Sequence, residues 1–190
     1  MLASIISLVA RWQNRTAEAV LLLLLLSAWP GTAPAAESPP SFAWTIATGV
    51  PASAFAMGVA LDPAGNAYVT GHYRGTATIG TNQFPAGAQF NSFVAKLDQQ
   101  GNILWSRSMT STNDCFATLI ATDALGAIYV AGEYRQDVLL GTNQLIDPVG
   151  AKWIFVSKLD DGGNFLWAAK AGAGYYTYAR GLAATPQGDV

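Results

Sequence analysis

From residue 41 onward, short runs of alternating apolar and polar residues are separated by clusters rich in Asp and Gly, with little helical periodicity. Ser41–Thr48, SFAWTIAT, alternates and reads as a strand. Two longer patterns then appear twice. Phe93–Trp105, FVAKLDQQGNILW, returns as Phe155–Trp167, FVSKLDDGGNFLW, with nine of thirteen residues identical. GVALDPAGNAYVTGHYR and LIATDALGAIYVAGEYR form the other pair, each followed by GTNQ. Trp44, Trp105 and Trp167 stand 61 and 62 residues apart, and an apolar residue (Val59, Ile120, Leu182) follows each by fifteen positions. A fixed period of this kind marks a copied supersecondary unit and takes precedence over local motifs.

Each unit parses into four strands: A around Val59 and Ile120, B at Ala67–Tyr73 and Ile128–Tyr134, C at Phe93–Leu97 and Phe155–Leu159, and D at Ile103–Ser108 and Phe165–Lys170. Asp62–Gly65, Asp98–Gly101, Asp123–Gly126 and Asp160–Gly163 join A to B and C to D. Asp at the start of a turn caps backbone N–H groups and Gly supplies the left-handed position, so these are tight hairpins. The B–C connection (Arg74 to Ser92) and the D–A connection (Ser106 to about Thr118) read as long loops. The expected fold is all-β: a β-propeller-type repeat of four-stranded antiparallel blades. The chain supplies one D strand, two full blades (about 58–109 and 119–171) and the start of a third at about 181. Such an incomplete ring reads as an N-terminal fragment; an open stack of sheets and closure by oligomerisation are the alternatives.

The residues resemble the bacterial seven-bladed β-propeller repeat family (SBBP-type repeats), with its Gly-Val-Ala-x-Asp-x-x-Gly-Asn-x-Tyr-Val-x-Gly signature. Gly58–Gly71 match almost throughout and Leu119–Gly132 more loosely, with Ala127 in place of Asn and Thr122 in place of the apolar residue. The resemblance covers about Ser41–Val190. It implies a fold and leaves activity open, because the family is defined by its repeat.

The N-terminus reads differently. Arg11 and Arg15 precede an eleven-residue apolar run, Ala19–Trp29, then Pro30-Gly31 and the small-residue site Ala33-Pro34-Ala35. This is the plan of a secretory signal over 1–35, followed by a Pro-rich linker, 36–40, and the repeats, 41–190. The run is too short to cross a bilayer as a stable helix, so no stable span is expected after cleavage. An uncleaved anchor is the alternative, favoured by the apolar stretch Leu2–Ala10. The expected location is exported: periplasmic, cell-surface or extracellular. From Ala36 onward there are 8 Lys+Arg against 11 Asp+Glu, with no basic stripe, which argues against nucleic acid as a partner. Cys115 is the one cysteine, so no intrachain disulfide forms and stability must come from core burial.

The candidate chemistry is thin. His72 is the sole histidine, so no Cys/His metal cluster can assemble, and no nucleophile elbow or phosphate loop is present. A residue copied in both repeats serves the scaffold, whereas one that differs is free to serve a ligand. Tyr73 and Tyr134, Arg74 and Arg135, and Phe55, Phe116 and Tyr178 recur, as do the GTNQ pieces. The turns lie at one end of the blades and the longer connections at the other, where ligands usually bind. The candidate ligand-face residues are His72, Asn113, Asp114, Glu133, Asp137, Tyr175 and Tyr176; the adjacent tyrosines could stack on a sugar or a protein surface. Asp160, Asp161 and Asn164 could ligate calcium, but the shared Asp-x-x-Gly frame favours turn capping.

The expected function is an exported, non-catalytic binding or scaffold module for a protein or carbohydrate ligand, with no catalytic residues and no cofactor or metal. The alternative is an enzyme, either carbohydrate-active or of the quinoprotein dehydrogenase type with calcium and a quinone. The frame Asp98, Gly101, Trp105 (again Asp160, Gly163, Trp167) is similar to the tryptophan-docking motif of pyrroloquinoline-quinone dehydrogenases. Its Asp–Gly spacing is three rather than four, and no cofactor-binding residue carries over.

Overall fold

The computed structural model describes residues 53–87, 89–147, 150–174 and 177–190. The expected signal, linker and first strand, together with Tyr175 and Tyr176, lie outside the described residues. The described chain is all-β and antiparallel.

The first sheet has six strands, of which β1 (Ser53–Leu61), β2 (Ala67–Arg74), β5 (Asn91–Leu97) and β6 (Ile103–Thr110) come first, paired in that order. The second holds β7 (Cys115–Thr122), β8 (Ile128–Arg135), β11 (Lys152–Leu159) and β12 (Phe165–Gly174) in the same order. These are the A, B, C and D strands of the two repeats. The copies share their irregularities too. The register shifts between Ala56 and Gly58 on β1 and between Ala117 and Leu119 on β7, and again between Lys96 and Leu97 on β5 and between Lys158 and Leu159 on β11. At the first pair of bulges the backbones close in so tightly that a Cβ on Gly71 or Gly132 would lie 1.9 Å from the carbonyl oxygen of Phe55 or Phe116. Glycine is required there by space, not by φ.

The A–B and C–D hairpins follow one design. The carboxylates of Asp62, Asp98, Asp123 and Asp160 accept from the backbone N–H four residues on, at 2.8–2.9 Å. Gly65, Gly101, Gly126 and Gly163 close the turns with φ of 80–84°. Turn capping therefore accounts for Asp160 and Asn164.

Both long connections differ from expectation. Each B–C connection folds into a small hairpin: β3 (Ala77–Ile79) with β4 (Asn82–Phe84), and β9 (Asp137–Leu140) with β10 (Asn143–Ile146). The GTNQ pieces supply its turn, with Gly80 and Gly141 left-handed, the role glycine plays when it opens a two-residue hairpin. The first D–A connection shrinks to Ser111–Asp114, because β6 and β7 extend beyond the expected strands. The end of β6 gains a partner, Met109 and Thr110 pairing with Leu140 and Leu139 of β9. The strand expected around Leu182 does not form: residues 177–190 hold no strand, though Thr185–Asp189 close a turn with Gly188 left-handed.

The two sheets pack through β7, which lies on β1, β2 and β5. The core between them takes Tyr68, Val94 and Met109 from the first sheet and Cys115, Ile128, Val130, Tyr134, Phe155 and Leu159 from the second, with Val138 and Leu140 of the second small hairpin. Each Val, Ile, Leu, Met or Phe side chain among them, fully buried, stabilises by roughly 1.5–3 kcal/mol. A second cluster, on Ala67, Tyr73, Phe93 and Leu97, is covered by Ala77, Ile79 and Phe84 of the first small hairpin.

Candidate functional site

Three places concentrate polar chemistry: the rim formed by the connections, the junction of the sheets at the turn end, and a cleft between the repeats.

The rim gathers several residues singled out by sequence. Ser111–Asp114 is fastened to β9: Thr112 donates its N–H and its hydroxyl to Asp137 Oδ1 at 2.9 and 2.6 Å, and Asn113 donates to Gln136 at 3.3 Å. Asp114 accepts from the N–H of Phe90 at 3.4 Å, and its carbonyl accepts from that of Arg135. His72 is half-buried, with its ring centroid 5.0–5.3 Å from those of Phe55, Phe90 and Phe116. Burial lowers its pKa, and its Nδ1 is buried with no hydrogen-bond partner among the described residues. Glu133, 5% exposed on β8, accepts from the N–H of Ala179 at 2.8 Å. The structure thus brings Asn113, Asp114 and Asp137 to one rim, with His72 joined to it through Phe90. The carboxylates there fasten loops and the imidazole sits among hydrocarbon rings.

At the turn end, the C–D turn of the second sheet seats on the first. Tyr68 Oη lies 2.9 Å from Asp161 Oδ1 and 3.1 Å from Asp62 Oδ2, and the Lys96 ammonium donates to the same Asp161 oxygen. Trp105 Nε1 donates to the Asp161 carbonyl at 2.9 Å. Arg107 donates to the carbonyls of Gly162 and Gly163 at 2.9 and 3.1 Å. Gly163 lies flat on the Trp105 ring, where a Cβ would approach to 2.9 Å. Lys96 is only 6% exposed, so its charge requires this partner. The hydrogen bond from Lys96, ahead of the opposing effect of burial, holds the Asp161 carboxyl below its usual range. Burial, reinforced by Asp161, pushes the Tyr68 phenol far above its ordinary value. The second sheet repeats the frame: Tyr129 Oη lies 3.1 Å from Asp123 Oδ2 and Lys158 approaches the same carboxylate to 4.0 Å, with the Trp167 ring 6.3 Å from that of Tyr129. There the Gly188 carbonyl accepts from Tyr129 at 2.7 Å.

The cleft measures about 500 Å³ and lies where the small hairpins of both repeats and the second C–D turn converge on β6. Gln83, Arg107, Ser108, Thr142, Asn164 and Phe165 are among its lining. Sequence reasoning missed it. Gln83 and Thr142 belong to the copied GTNQ pieces, and Arg107 sits inside a strand. The signal was available in the repeat: the equivalents of Arg107, Ser108 and Phe165 are Ala169, Lys170 and Ile103.

Among the described residues no group of three or more His, Cys, Asp or Glu side chains is placed to hold a metal ion. No family model matches the chain, and no curated protein is found similar to it.

Proposed function

We propose that the chain is an exported repeat protein of the bacterial seven-bladed β-propeller type, acting as a binding and scaffold module rather than an enzyme. The observation that carries this reading is the seating of the Asp161 turn on Tyr68, Lys96 and Trp105, with the receiving frame repeated as Tyr129, Lys158 and Trp167. A receiving surface copied from one sheet to the next is a device for setting like units side by side, as propeller blades are set. The groups that burial perturbs most support it too. Tyr68 is spent on the junction of the sheets, and Cys115 and Tyr134 lie in the core between them.

The frame that is similar to the docking motif of quinone-dependent dehydrogenases is also occupied with structure, since Asp98 caps Asn102 and Gly101 closes the turn. The test is an assay of the full chain with pyrroloquinoline quinone and calcium, with alcohols and aldoses as substrates and a reducible dye as acceptor. The expected result is no dye reduction above the protein-free blank; turnover would overturn the reading in favour of the enzyme.

A further inference from the structure

The cleft between the repeats has the size and chemistry of a site for a small polar ligand. Its volume of about 500 Å³ falls within the roughly 300–1,000 Å³ typical of ligand pockets. Arg107 is the one charged side chain in its lining. Three of its N–H groups donate to the carbonyls of Ser106, Gly162 and Gly163 at 2.9–3.1 Å, which fixes the guanidinium plane. A guanidinium carries five N–H donors, so two are left over. Arg107 forms no ion pair among the described residues; the nearby Asp160 feels its charge without pairing with it. Gln83, Ser108 and Thr142 also line the cleft, with no side-chain hydrogen bond among the described residues, as does the half-buried Phe165.

The distribution of these residues points the same way. The frame is copied, with Gly141 and Thr142 matching Gly80 and Thr81. The groups that give the cleft its character, Arg107, Ser108 and Phe165, occupy positions where the other repeat has Ala169, Lys170 and Ile103.

We propose that this cleft binds the sugar ring of an acidic saccharide, a uronic acid residue. Arg107 pairs with the carboxylate, a match suited to a pre-oriented guanidinium. Gln83, Ser108 and Thr142 exchange hydrogen bonds with ring hydroxyls, and Phe165 meets the apolar C–H face of the ring. The proposal rests on the binding-module reading above and gives it a ligand class.

The test is titration of the full isotopically labelled chain with digalacturonic acid, with its dimethyl ester as the uncharged control, followed by ¹H–¹⁵N correlation NMR. The Gln83 side-chain amide and the backbone amides of Thr142 and Asn164 shift with the acid and not with the ester, and the effect weakens with added salt. Arg107→Gln lowers affinity at least tenfold. Because Arg107 also holds a turn, Thr142→Trp serves as the second variant: it fills the cleft from an exposed position, and abolishes binding with an unchanged melting temperature. No shift at millimolar acid, equal shifts with the ester, or binding untouched by Thr142→Trp each overturns the proposal. Dye-coupled turnover would instead strike at the binding-module reading, so the two failures are distinguishable.

Discussion

Lys96 of the first sheet donates its ammonium to Asp161 of the second, 65 positions away, and the same carboxylate oxygen accepts the Tyr68 hydroxyl. The lysine is nearly buried, whereas the Asp161 side chain is 65% exposed. The pair is therefore asymmetric: removing the aspartate strands a buried cation, at a cost moderated by water reaching the site. Asp161→Ala is expected to destabilise the chain by about 1–3 kcal/mol, less than for a fully buried pair and more than for a surface one. Asp161→Asn keeps an acceptor for Tyr68 and loses less. Urea unfolding checks both: the midpoint falls while the slope, which tracks the surface exposed, stays constant.

The turn aspartates set the acid limb of stability. The hydrogen bond from the Asn102 side chain lowers the pKa of Asp98, that from Asn164 lowers Asp160, and that from Lys96 lowers Asp161. A carboxylate whose folded pKa is below its unfolded value contributes stability that is complete above the unfolded value and lost as pH falls through the folded one. The urea midpoint should accordingly be level through the neutral range and fall below about pH 4, near the ordinary carboxylate value. Asp160→Asn should make that limb shallower. An unchanged limb in this variant, with the fold intact, would show that the caps do not govern acid stability.

Two glycines separate crowding from backbone strain. A methyl on Gly132 would collide with the Phe116 carbonyl at the β7 bulge, whereas one on Gly126 meets nothing within 4 Å but sits at a φ of 83°. Gly126→Ala should cost about 1–2 kcal/mol, the penalty of a left-handed L-residue. Gly132→Ala should cost about 3 kcal/mol or more, the upper end for overpacking, because the obstacle is backbone and cannot rotate away. Gly126→Asn should be milder than Gly126→Ala, since Asn tolerates the left-handed region. Equal losses for the two alanine variants would refute the assignment of Gly132 to the bulge contact.

These same positions show what a sequence can and cannot disclose. The four strands of each repeat were legible because period-two patterning and the 61–62 residue spacing reinforce one another, and the turns because Asp and Gly at fixed offsets have a local physical meaning. The small hairpins were not legible: β3 and β4 have three residues each, too few to display a period, and their turn was read only as a copied piece of loop. Extension of β6 to Thr110 was hidden as well, because its last residues pair with β9, an element from the next repeat. The surroundings of His72 depend on Phe90 and Phe116, which reach it from a connection and from the other sheet. Arg107 was not legible because it differs from its counterpart Ala169 within a strand, where a difference between copies resembles ordinary packing variation.

Cys115 reports on the integrity of the junction between the sheets. It is completely buried on β7, its backbone N–H donating to the Phe90 carbonyl at 2.9 Å and its carbonyl accepting from the Ser92 hydroxyl at 2.8 Å. Burial, ahead of the neighbouring charges, pushes its thiol up to about 12. The thiolate is the reactive form, so in the native state at pH 8 the group is both shielded and protonated. Ellman's reagent should leave the folded chain unmodified over hours and react completely within minutes in urea. In native buffer the slow reaction should accelerate in Asp161→Ala about tenfold for each roughly 1.4 kcal/mol of lost stability, since labelling then passes through the open form. The sign with pH is the reverse of that for the aspartates. A thiol whose folded pKa is raised contributes stability that is complete below its unfolded value, near 8.5, and lost as pH rises toward the folded one. Cys115→Ala removes that contribution and should therefore soften the alkaline limb. Rapid labelling of the folded chain at pH 8, with no change on adding urea, would place Cys115 at the surface and refute the packing of β7 on the first sheet.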